Sequence, residues 1–174
     1  MTELNKVATQ APLAQHRLPR LVSGSMPVAP ALDLPTASDQ QFMTMLKAYR
    51  HSGGLLRAPD VAARCRPHSG TDVRTLAHWI AQRQVVSFEW LSRIWLPVFQ
   101  FQRADMSRQQ GLAEVLSELV GVYDNWQLAN WFALPNHWLA DTTPADRLAD
   151  APAEVLTAAR AEQFLPTAQR LARY

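Results

Sequence analysis

Cysteine is nearly absent. Cys65 is the only one in 174 residues, so no intrachain disulfide can form and the fold has to rest on its core. Long apolar runs are absent too. None approaches the roughly 20 residues that a membrane span needs, and the first thirty residues hold no continuous apolar stretch of the kind a secretory signal uses. A cytoplasmic chain with no membrane partner is expected. Neither a glycine-rich phosphate loop nor a serine elbow occurs, and no nucleophile stands beside an evident base. No catalytic residue, and hence no enzyme, is expected, and no cofactor.

Apolar side chains make up 48% of the chain, enough for one domain or two small ones. The net charge is only +2, but it is unevenly spread. Residues 47 to 93 carry eight basic side chains against three acidic, a balance of +5. Residues 105 to 174 carry five arginines against nine acids, a balance of −4. A basic half that faces a polyanion, joined to an acidic half that meets something else, is the organisation this implies.

Residues 1 to 37 are rich in Pro, Ser and Ala without sustained period and read as a flexible arm. Ser38 with Gln41 has the spacing of a capping box, and Phe42, Met45, Leu46 and Tyr49 follow at helical intervals up to Gly53-Gly54. Pro59 opens a two-turn helix with Val61, Ala62 and Cys65 on its apolar side, and Pro67 stops it. After the polar turn Ser69-Gly70-Thr71, a third helix is expected with Thr71 as cap. Its apolar set is Val73, Leu76, Ala77 and Ile80, and its wet face is Arg74, Thr75, His78 and Arg83.

Within "GTDVRTLAHWIAQRQVVSFEWLSRIWLPVFQF" the hydrophobic period then shortens from helical to near-alternating. Val85 to Trp90 and Ile94 to Phe101 read as two strands around a turn at Leu91-Ser92-Arg93, with Pro97 marking the second as an edge. Helix, turn, helix and hairpin in that order predict a winged helix-turn-helix over residues 38 to 104. Residues 105 to 174 read as a helical domain, which makes the fold mainly α with one small β-hairpin. Its signals are a Leu112, Val115, Leu116, Leu119 stripe closed by Gly121, a cap at Asp124 or Asn125, and an almost wholly apolar helix around Trp126 to Leu134. Thr143-Pro144 starts the next helix, with Asp146 as its N3 acid, and Ala151-Pro152 starts the last, which runs toward Phe164-Leu165 until Pro166.

The chemistry of these side chains points to double-stranded DNA. Arg74 can bond guanine edges or phosphate, and Thr75 and His78 can reach bases or backbone. Ser69 and Thr71 flank a helix N-terminus suited to phosphate. Arg83 extends the same wet face, and Arg93 at the hairpin tip is placed to touch phosphate. Cys65, His68 and His78 are three ligand types without a fourth, so no metal site is expected. Cys65 reads as a half-buried packing cysteine, because the end of its helix disfavours a thiolate. Glu114 and Glu118 fall opposite an apolar stripe, where solvated carboxylates belong. Trp126, Trp131 and Trp138 within thirteen residues suggest core together with self-association. Contacts to a partner protein are expected at His137, Trp138 and Asp141 and in the last segment from Gln163 to Tyr174, with Pro135-Asn136 and Thr143-Pro144 setting the angles between helices.

The run "NWFALPNHWLADTTPADRL", Asn130 to Leu148, resembles the toxin-binding domain of antitoxins of the Xre/MbcA/ParS type. Trp131, Phe132, Pro135, Asn136, Leu139, Thr143, Pro144 and Leu148 match its pattern, and the likeness covers roughly residues 110 to 165. Ala140-Asp141 stand where that family has Gly-Gly, which implies a turn made differently. Leu55 to Phe101 is similar to the MerR/excisionase-like helix-turn-helix that precedes such domains. The resemblance implies a helical homodimer that binds DNA at its own promoter and neutralises a RES-domain toxin that consumes NAD. A protein-interaction module of the same type without DNA binding is the alternative.

Overall fold

A computed structural model describes residues 37–65 and 73–165. The arm read over residues 1 to 37 lies almost wholly outside them, as do Pro67, Ser69, Thr71 and residues 166–174. The described chain is mainly helical, with a small three-stranded antiparallel sheet. Its elements are α1 (Ala37–Ala48), β1 (Leu55–Arg57), α2 (Ala58–Cys65), α3 (Val73–Ala81), β2 (Phe88–Trp90), β3 (Arg93–Pro97), α4 (Leu112–Leu119), α5 (Asn125–Ala133), α6 (Pro144–Arg147) and α7 (Pro152–Gln163). Single 3-10 turns occupy Val98–Gln100 and His137–Leu139. Among the described residues no helix is long and apolar enough to cross a membrane.

α1 buries Phe42, Met45 and Tyr49, the expected stripe. It starts at Ala37, one residue ahead of the Ser38 expected to cap it. The turn that follows it closes where Gly53 and Gly54 take φ of 104° and 81°. The Gly54 N–H bonds to the Tyr49 carbonyl at 2.7 Å, and a Cβ on Gly53 would stand 3.0 Å from the Val98 side chain, so this turn needs glycine on two counts.

The sheet has the order β1-β3-β2. Leu55 pairs with Pro97 and Arg57 with Trp95, while Phe88 pairs with Trp95 and Trp90 with Arg93. β3 is therefore central and not the edge that Pro97 implied. The proline is tolerated because it is the last residue of the strand, where the chain turns into the 3-10 helix and no further ladder N–H is needed. The strand expected at Val85 begins only at Phe88. In place of a ladder, the buried Gln100 side chain closes this region. Its amide oxygen accepts from the Val86 N–H at 2.6 Å, and its NH2 donates to the carbonyls of Val86 and Pro97, both at 2.9 Å.

The hairpin turn is two residues, Leu91 and Ser92, with φ of 48° and 55°. Positive φ at both positions is the pattern of a type I′ turn, which matches the twist of the strands and normally takes Asn-Gly. Leucine and serine adopt it at a cost of about 1 to 2 kcal/mol each. Arg93 is not part of the turn but the first residue of β3.

α3 is rotated from the expected orientation. Leu76 is buried and Trp79 and Ile80 pack against the same core, whereas Val73 is 55% exposed and Ala77 lies in solvent. An indole buries far more apolar area than a valine and an alanine can, so Trp79 decides which face turns inward.

Two core clusters result. The smaller gathers Val61, Ala62, Cys65, Leu76, Val85, Leu96, Phe101 and Met106, and so joins α2 and α3 to the sheet. The larger takes Phe42, Tyr49 and Phe88 together with the α4 stripe, Leu128, Phe132, Leu148 and Val155, so residues on both sides of position 105 contribute to it. Phe42 stacks on Trp90 with centroids 3.8 Å apart, Phe88 meets Trp126 edge-on at 4.9 Å, and the Tyr49 hydroxyl donates to the Ala129 carbonyl. All four α4 stripe residues are buried, and α4 packs along α7. Gly111, at φ 79°, lies where a Cβ would be 2.6 Å from Pro152. Val120, not Gly121, caps α4 at its C-terminus.

Replacing Gln100 with Leu would strand a buried N–H and two carbonyls. The expected cost is about 3 kcal/mol, read as a lower urea midpoint at unchanged slope; a loss below about 1 kcal/mol would show that water or a backbone shift satisfies these groups.

Candidate nucleic-acid interface

α3 can present side chains only on the face that the small core leaves open, and that face carries Arg74 and His78. Both are exposed, and among the described residues neither side chain has a hydrogen-bond or ion-pair partner. Val73 and Ala77 lie exposed beside them, so the open face is part basic and part apolar. Thr75 is half-buried and engaged. Ser69 and Thr71 fall outside the described residues. Arg93 is exposed at the head of β3, again without a carboxylate partner among the described residues. By contrast Arg57 is held by Asp60 at 3.1 Å.

Arg83 does not belong to this open surface, contrary to the expectation from sequence. Its backbone turns left-handed, φ 52°, immediately after α3. Its guanidinium is half-buried and donates to the carbonyl of Val120 at 2.6 Å and to that of Tyr123 at 2.5 Å. These acceptors follow the C-terminus of α4, where carbonyls lack helical partners and the helix dipole is negative. Arg83 is thus a clasp between the end of α3 and the α4–α5 corner. Its partners lie 37 and 40 residues downstream, a separation that no local pattern announces.

At that corner Asp124, one of the two caps expected, forms a full capping box with Gln127. α5 buries Leu128, Ala129, Trp131, Phe132 and Ala133. Pro135 ends it. Asn136 is buried, and its side chain accepts from the Trp138 N–H at 2.9 Å. Ala140 and Asp141 then adopt φ of 51° and 59°, so the turn keeps the left-handed geometry suited to Gly-Gly, made with Ala and Asp, and closes as an Asn136–Thr142 bridge. Thr143 caps α6 by accepting from the Asp146 N–H at 3.1 Å, with Pro144 at the first position.

Of the expected partner contacts, His137, Trp138 and Asp141 are all exposed, and the His137 and Trp138 rings lie 4.7 Å apart. Gln163 is exposed but occupied: its amide donates to the Glu118 carboxylate and carbonyl. Glu118 also receives Arg160 at 3.0 Å, so it is a bridge between α4 and α7 and not a solvated carboxylate; Glu114 is exposed. Cys65 is fully buried, not half-buried, and burial pushes its thiol above the ordinary range, which keeps it protonated and unreactive. His68, the neighbour considered with it for a metal, lies outside the described residues.

A feature the sequence did not signal is a pair of adjoining clefts, about 310 and 630 Å³, that share Gly53, Val98, Phe101 and Arg103. Arg64 lines the larger and His51 the smaller. They form only once the α1 turn and the segment after β3 come together.

Arg83→Met should lower stability by about 2 kcal/mol, since two capping carbonyls lose charged donors. Arg74→Met should change it by less than about 0.5 kcal/mol. Parallel urea titrations check both, and equal losses would remove the distinction between clasp and open face. The chain matches no protein-family model, no curated protein and no solved structure.

Proposed function

We propose that this chain is a non-enzymatic bacterial regulator of antitoxin type, a homodimer that binds double-stranded DNA at its own operator and holds a RES-type toxin. The observation that carries the reading is the open face of α3. Arg74 and His78 stand there exposed, without partners among the described residues, on a helix that α2 and the sheet hold from behind. A winged helix-turn-helix needs such a helix backed by a second helix and followed by a hairpin. The order α1, β1, α2, α3, β2, β3 supplies those parts, and β1 pairing with β3 fixes the hairpin to the helix pair.

The antitoxin resemblance is supported by what its matched residues do. Trp131, Phe132, Leu139 and Leu148 are buried, Asn136 and Thr143 are caps, and Pro144 occupies the first helical position. The positions of the family's Gly-Gly both take left-handed backbone. These residues set the chain path, leaving His137, Trp138 and Asp141 as the contacts for a protein partner. An exposed indole beside a histidine and a carboxylate has the chemistry of an interface anchor.

The test is binding to duplex DNA as a function of salt. Phosphate contacts release counterions, so affinity falls steeply as salt rises. Arg74→Ala should weaken binding to the selected sequence by about 1 to 3 kcal/mol, and Arg93→Ala should weaken all sequences alike and reduce the salt slope by about 1. Wild-type affinity in the Arg74 variant would remove α3 from the interface. Absence of salt-dependent binding in a folded chain would leave the interaction-module reading. A chain ending at Leu165 should lose dimerisation or toxin capture; retention of both would place those surfaces elsewhere.

A further inference from the structure

The hairpin tip departs from what its geometry favours in two ways at once. Both turn residues have positive φ, yet neither is Gly, Asn or Asp. The first of them, Leu91, is 66% exposed, and Ile94 beyond the turn is 41% exposed. An apolar side chain is held in solvent on a backbone that disfavours it, and neither choice helps the free protein fold. Strain and exposure kept together mark a contact made with something else.

We propose that Leu91 is an apolar wedge that inserts between base steps in the minor groove while Arg93 holds the adjacent phosphate. The inference rests on the DNA-binding reading and adds a second mode of sequence selection to it. The charge beside the wedge favours DNA over a protein surface as the occupant. Arg93 is exposed immediately past the turn and, among the described residues, has no ion-pair partner. Glu89, the acid on the neighbouring strand, pairs with Ile94, whereas Arg93 pairs with Trp90. Alternation therefore puts the Glu89 carboxylate on the opposite sheet face from Arg93. A leucine flanked by a free guanidinium fits a groove whose floor is stacked bases and whose wall is phosphate. Apolar side chains that enter a minor groove unstack a step and kink the duplex, and flexible pyrimidine–purine steps yield most readily. The wedge would thus read deformability where α3 reads base edges.

The experiment uses the full chain and a short duplex that the wild type selects from random sequence, with 2-aminopurine placed along it to report unstacking. Leu91→Asn supplies the residue a left-handed position prefers. It should raise the melting temperature by a few degrees, weaken duplex binding roughly tenfold and abolish the fluorescence rise. Leu91→Met should keep both binding and the rise, which separates loss of the wedge from damage to the hairpin. Wild-type binding and unstacking in Leu91→Asn would overturn the proposal. Unchanged DNA behaviour with an altered dimer mass would overturn it too, by assigning the tip to a protein contact. If the wild type selects no duplex, the DNA-binding reading fails and the wedge with it; wild-type selection with an unaffected Leu91→Asn sinks the wedge alone.

Discussion

The side-chain amide of Gln100 closes the protein where its backbone cannot. β2 and β3 pair over only three residues, and β3 ends at Pro97, which has no N–H to offer. Carried back two residues, the β2–β3 register sets Val86 opposite that proline. Gln100 comes back from the 3-10 turn to give Val86 both the acceptor and the donor that a partner strand would have supplied, and takes the Pro97 carbonyl as well. In a buried site an unpaired amide is worth more to avoid than a paired one is to make. The α3 exit, the hairpin and the segment leading to α4 therefore converge on one completely buried side chain.

Two further connections turn that closure into a platform. Arg83 ties the end of α3 to carbonyls after α4, and the rings of Phe42, Phe88, Trp90 and Trp126 join α1 and the hairpin to α5. The buried indole N–H groups of Trp90, Trp95 and Trp131 have no hydrogen-bond partner among the described residues, so these tryptophans are held by ring packing and area burial. The open face of α3 and the exposed His137–Trp138 pair thus stand on two different core clusters, which Arg83 and the hairpin rings connect. On the proposed reading, a DNA-facing surface and a protein-facing surface occupy one folding unit, and a change in the α4–α5 corner has a direct route through Arg83 to the end of α3.

Much of this was legible in the sequence because its causes are local. The α4 stripe, the Asp124 cap and the Thr143-Pro144 start each follow from residues within one or two helical turns. So does the identity of α2, with Val61, Ala62 and Cys65 inward. What escaped has non-local causes. β1 is three residues long, too short to show a period, and exists because β3 needs a partner on that side. The face of α3 was misjudged because Val73 and Ala77 fit the helical spacing as well as Trp79 does, and only the space beneath α3 decides between them. Arg83 reads as one more basic residue until the carbonyls beyond Leu119 are in place. Among the side chains proposed to face DNA, the exposure of Arg74, His78 and Arg93 follows from their charge and position, whereas that of Leu91 is hidden by its apolar character.

Amide hydrogen exchange on the full chain, with and without a selected duplex, tests most directly whether α3 and the hairpin form one surface for DNA. The account predicts slowed exchange in Val73–Ala81 and across Phe88 to Trp95, with α5 unchanged. Protection confined to the helices after Leu112, or none at saturating duplex, would contradict it.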